Sequence, residues 1–66
     1  MFVETTDGSW TNLMRASRIE VRKSTRAPGT WMIVAYYSGA TPVIRDGFGS
    51  DTAARQWLAD LLEDVQ

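Results

Sequence analysis

Near the middle of the chain, Trp31, Met32, Ile33, Val34, Ala35, Tyr36 and Tyr37 follow one another without a charge, and this run constrains the fold more than any other stretch. Alternation along a strand puts Trp31, Ile33, Ala35 and Tyr37 on one face and Met32, Val34 and Tyr36 on the other. A strand that is apolar on both faces belongs at the centre of a sheet and needs cover on both sides. A single helix can cover only one.

How much cover the chain can supply is set by its length of 66 residues, which allows one small domain, 1–66. A domain of that size buries only about 60% of the surface its unfolded chain exposes, so its stability as a monomer is marginal. Small domains often add a staple. With no cysteine, disulfides are ruled out, and with no histidine either a zinc site is nearly so, leaving oligomerisation as the common device. Met1 to Gly8 lacks the basic start and apolar segment of a secretory leader. No apolar run approaches the roughly 18–20 residues that span a bilayer, so the expected setting is soluble and cytoplasmic.

Several stretches announce the elements around the central run. Phe2 to Thr5 alternates apolar and polar residues and leads into Asp7 and Gly8, a pair suited to a type I′ turn, after which Trp10 to Leu13 returns as the second arm of a hairpin. Asn12 to Ser17 fits a short helical turn, with Asn12 as its cap and Leu13 and Ala16 three apart. Arg18 to Lys23 alternates again, Ile19 and Val21 against Glu20 and Arg22, as a strand with one buried face. Ser24 to Thr30, containing Pro28 and Gly29, reads as a hairpin loop. Ser38 to Thr41 is a second turn, followed by a short strand from Val43 to Asp46, with Pro42 at its start or at a sheet edge.

Gly47, Phe48 and Gly49 should end the sheet, and Ser50 is a good helix N-cap with Asp51 at the positive end of the helix dipole. Beyond it Ala54, Trp57, Leu58, Leu61, Leu62 and Val65 recur at spacings of three and four, which predicts an amphipathic helix of about 15 residues. Its stripe should lie on the face with Trp31, Ile33 and Ala35. The fold class is therefore α+β: an antiparallel β-meander of four to five strands packed on one C-terminal amphipathic α-helix.

Catalytic chemistry finds little support in the residue types. Without His or Cys, the commonest general base and the strongest nucleophile are missing, and a chain this short has little room for an enclosed substrate pocket. Asp46 and Asp51 flank the glycine turn, but ordinary strand-end and helix-capping roles account for both. Gly47, Phe48, Gly49 and Ser50 lie between a strand and a helix as in a phosphate loop, yet no βαβ unit follows and the two aspartates would repel an anion. The expectation is a non-enzymatic chain with no catalytic residues, no metal and no cofactor.

Two binding readings remain. In the first, Met32, Val34 and Tyr36, on the face the helix leaves bare, form an apolar patch that a second copy or another small protein covers, or that the amino-terminal hairpin folds over. In the second, the basic stretch matters. Five of the seven basic residues, Arg15, Arg18, Arg22, Lys23 and Arg26, fall within twelve positions opposed only by Glu20, although the net charge is -1. Arg22, Lys23 and Arg26 beside Trp31 and Tyr36 would suit a nucleic-acid backbone and exposed bases.

From Val21 to about Leu61 the chain resembles the three-stranded DNA-binding domain of plant ethylene-responsive factors and the amino-terminal arm domains of phage integrases. The matching positions are Val21, Arg22, Lys23, then Gly29, Thr30, Trp31, and the order Phe48, Ser50, Ala54 where the helix opens. That resemblance implies a sheet laid in the DNA major groove, with Arg22, Arg26, Trp31 and Arg45 at the contact. The acidic pI near 5.1 weighs toward the first reading, a protein-interaction or self-association module and a homodimer.

Overall fold

A computed structural model describes residues 1–63. Five strands and one helix follow in chain order: β1 Phe2–Glu4, β2 Trp10–Asn12, β3 Arg18–Lys23, β4 Trp31–Tyr36, β5 Val43–Phe48 and α1 Asp51–Glu63, with a 3-10 turn at Leu13–Arg15 between β2 and β3. All pairings are antiparallel, and the strands divide into a two-stranded ribbon, β1-β2, and a three-stranded sheet in the order β3-β4-β5. The α+β class and the C-terminal helix are those the sequence predicts. None of the described helices is long and apolar enough to cross a membrane.

The central run forms β4, as its composition requires. Its helix-side residues Ile33 and Ala35 are fully buried with Ile44 of β5 and Ala54 of α1, and Val3 and Leu13 from the amino-terminal segment complete the cluster. Full burial of an isoleucine side chain is worth about 1.5–3 kcal/mol, so Ile33 and Ile44 anchor the domain. Alanine at both 35 and 54 lets helix and sheet approach closely. Trp57, Leu58 and Leu61 pack against the cluster from α1, and Trp57 meets Phe48 with ring centroids 6.0 Å apart. Leu62, placed by its spacing in the same stripe, is instead 36% exposed. Val65 lies outside the described residues.

Helix α1 starts where the cap signal puts it. The Ser50 hydroxyl oxygen accepts from the Ala53 amide at 3.0 Å, the Ser50 carbonyl accepts from Ala54, and Asp51 occupies the first turn. Asn12 likewise caps the 3-10 turn, accepting from the Met14 amide at 3.1 Å and from the Met1 ammonium at 3.0 Å.

The structure departs from expectation in two turns. The Asp7–Gly8 connection is not type I′, because only Gly8 has positive φ, at 90°. The Gly8 amide donates to the Thr5 carbonyl and the Thr5 amide to Ser9, while the Asp7 carboxylate accepts from the Thr5 hydroxyl and the Ser9 amide. Side-chain bonds thus hold Asp7 in an ordinary conformation and leave glycine the single left-handed position. Strand β5 also runs two residues past its expected end at Asp46, since Gly47, at φ 89°, takes up an irregularity in the ladder and Phe48 still pairs with Trp31.

Candidate functional site

Strand β3 is an edge of the sheet, and it is the regular one. All six of its residues pair in step with β4, from Arg18 opposite Tyr36 to Lys23 opposite Trp31. The Ser24 amide donates to the Thr30 carbonyl at 2.9 Å, and antiparallel ladders alternate. Counting back by twos, Arg22, Glu20 and Arg18 bond inward to β4, so the amides and carbonyls of Ile19, Val21 and Lys23 point out of the sheet. Among the described residues no backbone bond outside the ladder reaches Arg18–Lys23. The opposite edge is blunted: β5 pairs with shifts in register, and its Val43 carbonyl accepts from the Thr6 amide at 3.0 Å.

Along the open edge runs a groove of about 890 Å³. One wall is the far side of the sheet, with Arg18, Glu20, Arg22 and Tyr36; the other is the helix, with Arg55, Leu58, Ala59 and Leu62, and Ile19 and Val21 lie between. The groove is therefore apolar toward the helix and basic toward its rim, with three arginines against one glutamate. Leu62, surplus to the core, is part of its apolar wall.

On the face away from the helix, Met32 and Val34 are only 7% and 3% exposed, although they stand apart from the main cluster. Their partners across the ladder are Arg22 and Glu20. A polar lattice joins those residues to Tyr36: Arg22 donates to the Tyr36 hydroxyl at 2.9 Å, the hydroxyl donates to Glu20 at 2.7 Å, and the Arg18 guanidinium lies 4.3 Å over the ring while pairing with Glu20 at 3.4 Å. Of Met32, Val34 and Tyr36, then, only Tyr36 reaches the groove. Val3 and Leu13 of the amino-terminal segment join the helix side, where the Tyr37 hydroxyl also donates to the Asn12 carbonyl at 3.0 Å.

The residues singled out for nucleic acid do not form one patch, although Lys23 and Trp31 are brought together across the ladder. Arg22 belongs to the lattice around Tyr36. Lys23 sits 6.0 Å from the Trp31 ring and Arg45 5.2 Å from Trp57, both on the helix side, whereas Arg26 is exposed in the β3–β4 loop. Asp46 accepts from the Ser24 hydroxyl and the Gly47 amide, and Asp51 pairs with Arg55 at 3.8 Å, so each carboxylate has its own local partner.

Two features go beyond the sequence reading. Which main-chain groups of β3 face outward depends on register, which periodicity does not give. Among the described residues Phe2, Trp10 and Met14 are the most exposed large apolar ones, and Phe2 and Trp10 share the outer face of the ribbon by their pairing with Asn12 and Glu4. Under the same ribbon, the Thr5 hydroxyl and then the Ser9 amide hold the Asp7 carboxyl down to about 2 from its ordinary 3.8. Compared with known proteins, the chain matches no family, no curated protein and no solved structure.

Proposed function

We propose that this chain is a small non-enzymatic protein-interaction module that takes up an extended segment of a partner as an added strand on β3. The observation that supports this reading is the regular, unpaired edge of Ile19, Val21 and Lys23 lying in a groove walled by the helix. Strand addition draws affinity from main-chain hydrogen bonds and specificity from pockets for alternate side chains. Here alternate residues of the incoming segment meet Leu58 and Leu62 on one side and Arg18 and Arg22 on the other. The matching ligand alternates apolar and acidic residues.

Titrating the isotope-labelled chain with a synthetic peptide that alternates valine and glutamate tests this by nuclear magnetic resonance. Shifts should concentrate on the Ile19, Val21 and Lys23 amides and the Leu58 and Leu62 methyls. Saturable binding that leaves those groups unmoved, or no binding by any peptide of that pattern, rejects the reading.

Nucleic acid is the second reading, favoured by Arg18 and Arg22 lying beside the Tyr36 ring on the open side of the sheet. It requires a complex that weakens steeply with salt and is lost in an R22A/R26A double variant. Retardation of DNA that meets both conditions would favour it over strand addition.

A further inference from the structure

We infer that the segment received by β3 is β3 of a second copy, joined antiparallel about a two-fold axis at Val21, so that two three-stranded sheets become one of six strands. This rests on the strand-accepting reading above and adds the partner and the register.

Register follows from hydrogen-bond direction and charge. Only Ile19, Val21 and Lys23 have outward main-chain groups, so these positions must pair among themselves, which excludes every register that sets them opposite Glu20 or Arg22. Of those remaining, two overlap the strands most fully. Centring on Glu20 places Glu20 opposite its own copy and Arg18 opposite Arg22, so that like charges face each other throughout. Centring on Val21 places Glu20 opposite Arg22 of the second copy, twice by symmetry, with Ile19 opposite Lys23 and Val21 opposite Val21. Opposite charges directly across an antiparallel pair stabilise it and like charges destabilise it. The strand is thus complementary to itself in one register and repelled in its neighbour.

The side chains have the capacity for these extra bonds. Glu20 already accepts from Tyr36 and Arg18, but a carboxylate offers about four acceptor sites. Arg22 uses one guanidinium nitrogen on Tyr36 and has further N–H groups free to cross the seam. A two-fold axis normal to the sheet keeps both helices on the same side. Leu58 and Leu62 of the two copies then border the Val21 pair, which gives the exposed Leu62 a dry neighbour.

Sedimentation equilibrium over a concentration series into the millimolar range tests the inference with charge-swap variants, each checked for native fold by circular dichroism. The parent chain should dimerise. E20R alone and R22E alone each set like charges across the seam, so each should dimerise roughly tenfold or more weakly. The E20R/R22E double variant should recover. An equimolar mixture of the two single variants should form a heterodimer, because one chain then carries both positive and the other both negative partners. A parent that stays monomeric while its Ile19, Val21 and Lys23 amides still respond to an added peptide overturns self-pairing and leaves strand addition standing. Dimerisation indifferent to both single swaps, or a mixture that fails to recover, overturns it as well.

Discussion

The Arg22 guanidinium donates to the Tyr36 hydroxyl at 2.9 Å and so ties the edge strand to the central one on the face away from the helix. The same hydroxyl donates to Glu20, which makes it the link between two β3 residues rather than the end of one contact. Tyr36→Phe should lower stability by about 0.5–1.5 kcal/mol in urea denaturation, since the ring and its stacking with Arg18 survive and only the hydroxyl bonds are lost.

Ile33 and Leu62 look equivalent as apolar members of periodic patterns, yet one is fully buried and the other is 36% exposed. Ile33→Ala should cost about 2–5 kcal/mol, a large share of the stability of so small a domain. Leu62→Ala should stay within about 0.5 kcal/mol of the parent. Chemical denaturation of the two variants side by side distinguishes a core position from a groove wall.

Gly47 carries the ladder of β5 past Asp46 with φ at 89°. An added methyl group would meet open space, so the cost of Gly47→Ala is conformational rather than steric crowding by neighbours. A loss of roughly 1–2 kcal/mol is expected from the left-handed backbone alone. Thermal unfolding should show it, and no change would mean that the turn relaxes to another conformation.

The Asp7 carboxyl titrates at about 2 because the Thr5 hydroxyl and the Ser9 amide stabilise its charged form. Its folded value lies below its unfolded one. Its contribution is therefore complete above the ordinary value of 3.8 and is lost as pH falls toward 2. Carbon-detected titration should place the Asp7 midpoint near 2, with the ribbon amides of Thr5 and Ser9 shifting together with it. Asp7→Asn should remove that pH response.

Much of the architecture was legible in local pattern. The uncharged run marked β4, the alternation from Arg18 to Lys23 marked β3, and Ser50 with Asp51 fixed the start of the helix. What local pattern missed was long-range. Periodicity assigns Leu62 to the apolar stripe but cannot tell that the sheet ends at β3 beneath it. Alternation puts Met32 and Val34 on the face opposite the core, but not the lattice of Arg18, Glu20 and Arg22 around Tyr36 beside them. Nor does it show that the amino-terminal segment joins the helix side through Val3 and Leu13. The turn at Asp7 and Gly8 followed a dipeptide rule that the carboxylate overrode with its own hydrogen bonds.

Residue-resolved amide hydrogen exchange on β3 tests the open edge most directly. In dilute chain, Glu20 and Arg22 should exchange slowly while Ile19, Val21 and Lys23 exchange freely. When the edge is occupied, by peptide or by a second copy at high concentration, the three outward amides should become protected together. Protection of Ile19, Val21 and Lys23 at every concentration, or free exchange while the chain is demonstrably bound, would contradict a strand-accepting edge.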